Sequence, residues 1–301
     1  MNALTEKILS LKKERNAVIL AHNYVLPEIQ DIADFVGDSL ELSIKARDLK
    51  AELIVFCGVS FMAETAKLLS PASKVLLPVE NAGCAMADMV DPAELARFRA
   101  DHPDTVLIAY VNTTAETKAL VDICCTSANA EKVVASIPKE KEIMFLPDRN
   151  LGTNVSGSTG RKMDLWRGFC PIHNKIAAET ILQVKAAHPG VPVLVHPECP
   201  AEVVAVCEHA LSTGGMLRFV KNSGEKEFIV ATEYGIIHRL KKENPEKIFH
   251  ALDPLPTCED MKKIKLEDVA NCLQNLSGEV KLDPEIMERA RLPIDRMLDL
   301  Q

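Results

Sequence analysis

The sequence has few of the features that are typical of membrane proteins or nucleic-acid-binding proteins. Aromatic residues make up 4% of its 301 residues, and no apolar stretch is long enough to cross a bilayer. Basic residues number 35 against 43 acidic ones, and the net charge of −8 argues against nonspecific nucleic-acid binding, which needs Lys and Arg gathered against phosphates. These absences favour small molecules as partners, with neither a nucleic acid nor a membrane.

Nucleotide-binding and targeting motifs are also missing. No Gly-x-Gly-x-x-Gly pattern occurs, and the glycine-rich stretch 156–162 lacks the Gly-Lys-Ser/Thr ending of a phosphate loop. The segment from Met1 to Glu14 has the charge and spacing of an amphipathic helix, without the apolar core of a signal peptide. We therefore expect a cytoplasmic protein.

Three similar segments follow one another along the chain. Each starts with an apolar run that ends in polar residues, and these runs are Ala17–Tyr24, Val106–Asn112 and Val193–Glu198. Each contains a second apolar run, and these are Leu53–Phe56, Ile143–Leu146 and Phe228–Ala231. An acidic residue follows the second run, as Glu64, Asp148 and Glu233. Such runs are typical of buried parallel strands.

One cysteine per segment keeps the same period, and these cysteines are Cys84, Cys170 and Cys258. The hydroxyl residues at expected helix starts recur at nearly the same interval, as Ser39, Ser127 and Ser212. Polar residues at the strand ends also precede the cysteines by a nearly constant distance along the chain. We take His22, Asn112 and His196 as the equivalent polar residues at the three strand ends. Chance resemblance of apolar runs is a weak explanation for landmarks that all keep one period.

Helices are expected between the strands, over 43–49, 128–137 and 201–210. Alternating strands and helices predict an α/β fold of three similar small domains, each a parallel sheet flanked by helices. We place the domains at 1–102, 103–189 and 190–301, the last with a C-terminal helix. Because ligands bind at the carboxyl ends of parallel strands, we expect a pseudo-threefold arrangement around a central active site.

That arrangement predicts rings of equivalent side chains around one pocket. Three cysteines could hold zinc or an iron–sulfur cluster and leave one position open for substrate, and the spacing does not choose between the two metals. The hydroxyl residues would offer helix N-termini to anions, although each could simply cap its own helix. The other cysteines have no counterparts across the repeats and favour packing, and these are Cys57, Cys199, Cys207 and Cys272. The adjacent Cys124 and Cys125 favour a buried strand end.

Several short motifs resemble the quinolinate synthase (NadA) family over nearly the whole chain. They are Ala21-His-Asn-Tyr, Asp31-Ile-Ala-Asp-Phe-Val-Gly-Asp-Ser, Tyr110-Val-Asn-Thr-Thr-Ala-Glu, Thr126-Ser-Ala-Asn, His196-Pro-Glu-Cys and Ser212-Thr-Gly-Gly-Met. The resemblance implies condensation of iminoaspartate with dihydroxyacetone phosphate to quinolinate, with release of phosphate and water, on the route to NAD. It implies a [4Fe-4S] cluster on Cys84, Cys170 and Cys258. It also suggests an L-aspartate oxidase or dehydrogenase as a partner that supplies iminoaspartate.

The resemblance also implies roles for the polar residues at the strand ends. We expect Tyr24, His196 and Glu198 to move protons. The expected substrate-binding residues are His22, Ser39, Tyr110, Asn112, Ser127, His173, Ser212 and Thr213, with Ser212 and Thr213 on the phosphate. Some family members carry a Cys-x-x-Cys-x-x-Cys group at the third ligand, where this chain has Cys258-Glu-Asp-Met261. We therefore expect no disulfide control there.

Two other functions compete with this one. A hydro-lyase of another pathway could use the same three-cysteine cluster to eliminate water from a different carboxylate. An iron–sulfur sensor or carrier would need no set of His, Tyr, Asn and Glu at the strand ends, so that set weighs against it.

Overall fold

Three parallel sheets of four strands each form the frame of the protein, as seen in the computed structural model, which describes residues 3–49 and 51–300. The first sheet has the order β2-β1-β3-β4, from β1 (Ala17–His22), β2 (Phe35–Gly37), β3 (Leu53–Cys57) and β4 (Lys74–Leu76). The second has the order β6-β5-β7-β8, from β5 (Val106–Tyr110), β6 (Ile123–Cys125), β7 (Ile143–Leu146) and β8 (Asp164–Leu165). The third has the order β10-β9-β11-β12, from β9 (Val193–Val195), β10 (His209–Ala210), β11 (Glu227–Ala231) and β12 (Ile248–Ala251). The predicted α/β fold of three similar units is confirmed.

Helices connect and cover these strands. The helices that precede β5 are α1 (Ala3–Glu14), α2 (Pro27–Ile32), α3 (Ser39–Asp48), α4 (Ser60–Leu69) and α5 (Pro92–Asp101). The helices between β5 and β9 are α6 (Ala115–Lys118), α7 (Ala130–Ser136), α8 (Arg149–Thr159) and α9 (Ala178–Ala187). The remainder are α10 (Ala201–Val204), α11 (Thr213–Asn222), α12 (Ile236–Glu243), α13 (Leu266–Asn275) and α14 (Pro284–Leu298). No helix among the described residues is both long and apolar enough to cross a membrane.

The strands form where apolar residues run without interruption. Every residue of β3 and β7 is buried, as expected for central strands with both faces covered. The prediction of one helix over 201–210 is wrong, because α10 ends at Val204 and His209–Ala210 pairs with β9 as an edge strand. The valines at 203, 204 and 206 lower the helix propensity only slightly, so the local sequence did not reveal this boundary.

A repeated ion pair anchors each edge strand to its central strand. The acid just before the edge strand accepts a hydrogen bond of 2.8 to 2.9 Å from a central-strand amide, in the pairs Asp34–Ile19, Asp122–Leu107 and Glu208–Val193. A basic residue holds each acid at 2.5 to 2.8 Å, in the pairs Lys12–Asp34, Arg99–Asp122 and Lys185–Glu208. These contacts make Ile19, Leu107 and Val193 structurally equivalent.

This equivalence corrects the sequence alignment of the second repeat. Counting from the anchored amides, the three equivalent strand ends are His22, Tyr110 and His196, and the residues two positions further on are Tyr24, Asn112 and Glu198. Asn112 is therefore not the counterpart of His22. With Tyr110 in that place, the intervals from strand end to cysteine become more nearly equal in the three units.

The same register shows that the three acidic residues after the second apolar runs are not all equivalent. Asp148 and Glu233 are equivalent, but Val59 occupies that position in the first unit. Glu64 lies further along the chain on α4, where it accepts a hydrogen bond from the Ala115 amide. The first unit therefore contributes no carboxylate at the position equivalent to Asp148 and Glu233.

The end of the chain returns to the first two sheets. Helix α13 packs against α1, and α14 packs against α4, α6 and β6. Between these helices, the Leu77 amide donates to Gly278 and the Val280 amide donates to Val75, which fixes the connecting segment beside β4. The C-terminal segment thus ties the third unit to the other two.

Candidate active site

One cavity of about 190 Å³ receives side chains from all three sheets. Thirteen of the fourteen predicted site residues line it, namely His22, Tyr24, Ser39, Cys84, Tyr110, Asn112, Ser127, Cys170, His173, His196, Glu198, Thr213 and Cys258. Ser212 is the exception. Its hydroxyl accepts a hydrogen bond of 3.1 Å from the Gly215 amide and caps α11, so the capping interpretation holds for this residue.

The three repeat cysteines reach the cavity from equivalent places, after the last strand of each sheet. Each lies just before a short 3₁₀ turn, and these turns span Ala87–Met89, His173–Lys175 and Asp260–Lys262. The turns bring backbone amides close enough to the sulfur atoms to act against the rise in the pKa of each thiol. Such amides stabilise a thiolate and are a common feature of iron–sulfur ligands.

Burial acts against the thiolate form of the same cysteines. It raises the pKa of Cys84 to about 12, raises that of Cys170 well above its usual range, and also raises that of Cys258. Three thiols that converge on one cavity, each with amide donors at its sulfur, need a positive centre to ionise together. The donor set therefore fits a metal centre with thiolate ligands.

A continuous chain of hydrogen bonds crosses the cavity wall between the units. The Tyr24 Oη lies 2.6 Å from Thr232 Oγ1, which lies 2.8 Å from His173 Nε2. His173 Nδ1 lies 2.7 Å from Glu198 Oε2 and 3.2 Å from the Cys170 sulfur. Since an ionised carboxylate only accepts, Nδ1 carries a proton, and in the neutral imidazole Thr232 then donates to Nε2 and accepts from Tyr24. The arrangement is that of a hydroxyl, an imidazole and a carboxylate acting in series.

Glu198 is the acceptor at the centre of this chain. Tyr110 Oη donates to its second oxygen at 2.5 Å. Burial alone would raise the pKa of Glu198, but the charges of His196 and His173 and the hydrogen bonds from His173 and Tyr110 lower it below its usual range. At neutral pH the charge of His196 does not contribute, because burial lowers the pKa of His196 to about 3 and leaves that imidazole neutral.

His22 and His196 share one backbone motif. The amide two residues later donates to Nδ1 of each imidazole, Tyr24 to His22 at 3.2 Å and Glu198 to His196 at 3.3 Å. Each neutral ring therefore carries its proton on Nε2. His196 Nε2 lies 3.3 Å from the Ser127 hydroxyl. Two uncharged N–H donors thus belong to the cavity wall.

The hydroxyl ring consists of Ser39, Ser127 and Thr213, which are structurally equivalent and all line the cavity. The helix starts beside them are engaged in different ways. Asp38 caps α3 through the Glu41 amide, and its other carboxylate oxygen accepts from the Gly214 amide of α11 at 3.1 Å. Ser127 lies before the helix cap at Asn129. The predicted helix-cap role therefore does not apply to Ser127.

Sequence reasoning missed two groups of the site. Thr232 lacks any motif of its own, and only its position beside the repeated acid Glu233 could have indicated it. Glu233 accepts from the Gly235 amide at 2.7 Å and the Cys258 amide at 3.2 Å, and pairs with Lys262 at 2.7 Å. Lys262 also donates to the Tyr24 carbonyl. This buried pair links the Tyr24 loop to the Cys258 loop.

Comparison with known proteins agrees with the motifs and the site. A family model described as quinolinate synthetase A protein (NadA) matches residues 6–299. A quinolinate synthase of Thermus thermophilus is 49% identical over 300 residues, covering 98% of this chain and 97% of the relative. Those of Thermodesulfovibrio yellowstonii and Geobacter sp. strain M21 are 48% and 50% identical, over 100% and 98% of this chain and 99% and 97% of the relatives. The chain belongs to the quinolinate synthetase A family.

Proposed function

We propose that the protein is a quinolinate synthase that condenses iminoaspartate with dihydroxyacetone phosphate and releases phosphate and water. The observation that carries this proposal is the hydrogen-bond chain from Tyr24 to Tyr110 in a cavity that three cysteines also line. Proton transfer and a thiolate metal centre meet in one pocket. A sensor would need only the second of these.

Cys84, Cys170 and Cys258 would hold a [4Fe-4S] cluster with one iron free of protein ligands. When bound, the cluster would supply Lewis-acid chemistry toward a substrate carboxylate or hydroxyl. The choice of iron over zinc rests on the family.

Tyr24 is our candidate for the group that exchanges protons with the substrate. Burial and nearby negative charges raise its pKa well above the usual range, so the free phenol is a poor acid. A proton leaving Tyr24 would pass to Thr232 while the Thr232 proton moves to His173, and Glu198 would stabilise the imidazolium. Reversal of the chain returns the proton for dehydration.

The anionic ends of the substrates would be bound by neutral donors. Nε2 of His22 and His196, with the hydroxyls of Ser39, Ser127 and Thr213, offers donors to carboxylates and phosphate. Asn112 Oδ1 has no hydrogen-bond partner among the described residues, so a substrate N–H would satisfy it. Thr213, rather than Ser212, would contact the phosphate.

The direct test is an anaerobic assay of the purified protein with both substrates. We expect quinolinate, identified by mass, together with one phosphate for each molecule formed. Omission of either substrate should abolish the product. Water loss from another carboxylate without any quinolinate would favour the hydro-lyase instead.

A further inference from the structure

Three loops carry Tyr24, Asn112 and Glu198 into the cavity, and all three are held in the same way. One side-chain nitrogen binds two backbone carbonyls, those of the residues immediately before and after the cavity residue. The pattern places a clamp on each loop. The clamping residues are Gln30, Lys118 and Asn154.

The clamps share geometry but not residue type. Gln30 Nε2 donates to Asn23 and Val25 at 3.1 and 3.0 Å, and Asn154 Nδ2 donates to Pro197 and Cys199 at 2.8 and 2.9 Å. Gln30 comes from the same unit as its loop. Asn154 reaches its loop from α8 of the neighbouring unit. Different residues at different places in the chain thus supply one contact.

Lys118 provides the clamp of the second loop. Its Nζ donates to Val111 at 2.8 Å and to Thr113, and its side chain is fully buried. Among the described residues no carboxylate lies within ion-pair distance of it. A buried ammonium without such a partner is costly, and its two carbonyl contacts offset part of that cost, together with the more distant charge of Glu64 and the ring of Phe61.

The second loop depends on its clamp more than the others do. In the first and third loops an imidazole also accepts the amide of the cavity residue, as His22 does for Tyr24 and His196 for Glu198. Tyr110 occupies that position in the second unit, and within the described residues the Asn112 amide has no such acceptor. Lys118 therefore holds this loop without an imidazole acceptor, beside the 2.8 Å bond from the Thr113 amide to the Val111 carbonyl and the 3.2 Å bond from the Thr113 hydroxyl to the Tyr110 carbonyl.

We propose that Lys118 is a positioning residue that fixes Asn112 for the substrate, with Gln30 and Asn154 in the same role for Tyr24 and Glu198. The expected loss of activity rests on the proposed function, whereas the expected loosening of the 111–113 loop does not. Lys118 touches no reacting atom and acts only through the 111–113 loop. A neutral or a positively charged donor can serve, because the neutral amide of Gln30 holds its loop in the same way.

The test compares two variants with the parent enzyme. Lys118→Gln keeps a donor of the type found in the first unit, whereas Lys118→Met fills the space without one. In Lys118→Met we expect kcat/KM for quinolinate formation to fall by about 100-fold, as a displacement near 1 Å would cause, and in Lys118→Gln by less than about tenfold. Equal losses in both variants, or none in either, would overturn the clamp.

Hydrogen exchange separates this inference from the proposed function. Deuterium uptake at the Val111 and Thr113 amides should rise in Lys118→Met and stay near the parent rate in Lys118→Gln, whatever substrate the protein uses. An inactive parent would refute the proposed function alone. Unchanged exchange in Lys118→Met would refute the clamp alone.

Asn154 offers a second test if neither lysine variant folds. Asn154 is half-buried, and Thr153 beside it on α8 is exposed. We expect Asn154→Ala to lower kcat by about tenfold while His196 still supports the loop, and Thr153→Ala to match the parent. Equal kcat in the two variants would contradict the role assigned to Asn154.

Discussion

Tyr110 donates a 2.5 Å hydrogen bond to Glu198, and the two residues come from the ends of central strands in different sheets. Both side chains are buried, and the bond joins the second unit to the third inside the cavity. Each residue lies in a place that the repeat makes equivalent to a residue of the first unit. The contact explains how a carboxylate stays ionised there, because a phenol and an imidazole each donate to it.

Replacing the Glu198 carboxylate should stop proton transfer without removing the metal centre. We expect Glu198→Gln to lower kcat by about 10²- to 10⁴-fold, since an amide cannot stabilise an imidazolium at His173. The iron content and visible absorption should match the parent. Glu202→Gln, which changes an exposed glutamate on α10, is the matched control. Full turnover in Glu198→Gln would remove Glu198 from the mechanism.

Thr232 should matter through its hydroxyl alone. We expect Thr232→Ser to keep most of the parent kcat and Thr232→Val to lose about 100-fold, because valine has the same shape but breaks the link between Tyr24 and His173. Rate constants under saturating substrates measure the difference. Equal rates in the two variants would show that protons do not pass through Thr232.

The buried His22 should make the fold sensitive to acid. Burial lowers its pKa to about 3, whereas an unfolded histidine titrates near 6.5. Between these values the unfolded state binds more protons, so stability falls as the pH drops and is unaffected above about 6.5. One such residue should cost about 2 kcal/mol between pH 7 and pH 5.

Urea unfolding of the iron-free protein at the two pH values tests this dependence. His22→Gln should lose less stability on acidification than the parent by about that amount. His102→Gln, which removes an exposed histidine, should behave like the parent. The same pH dependence in His22→Gln and His102→Gln would contradict the assigned pKa.

Gly278 should tolerate no side chain. Its φ of 76° favours glycine, and a Cβ there would lie 2.2 Å from the Leu77 carbonyl oxygen. We expect Gly278→Ala to lower the free energy of unfolding by at least about 2 kcal/mol. Gly157→Ala is the control, since no atom lies within 4 Å of its Cβ and alanine favours the helix. Equal stability of the two variants would contradict the tight turn beside β4.

Sequence periodicity predicted the central strands because they are continuous apolar runs at a constant interval. It misaligned the second unit by two residues, since Asn112 is polar like His22 and the register depends on hydrogen bonds to Asp34 and Asp122 that no local pattern reveals. The edge strand His209–Ala210 was missed because two residues carry no period.

The repeat explains why the predicted residues lie together, but it does not reveal their contacts. Thirteen of fourteen chosen residues line one cavity because the repeat places strand ends together. The chain through Thr232 depends on three units meeting, and a threonine after an apolar run has many structural roles. Ser212 caps a helix, whereas Thr213, one position later in the chain, lines the cavity. The sequence pattern did not distinguish these two roles.

Iron and sulfide analysis after anaerobic purification shows whether the three repeat cysteines hold a cluster. The parent should contain about four iron and four sulfide per chain, and single alanine variants at Cys84, Cys170 and Cys258 should each lose the cluster. Cys207→Ala, which removes an equally half-buried cysteine outside the cavity, should retain it. Full cluster retention in any one of the three ligand variants would contradict the assignment of these cysteines as cluster ligands.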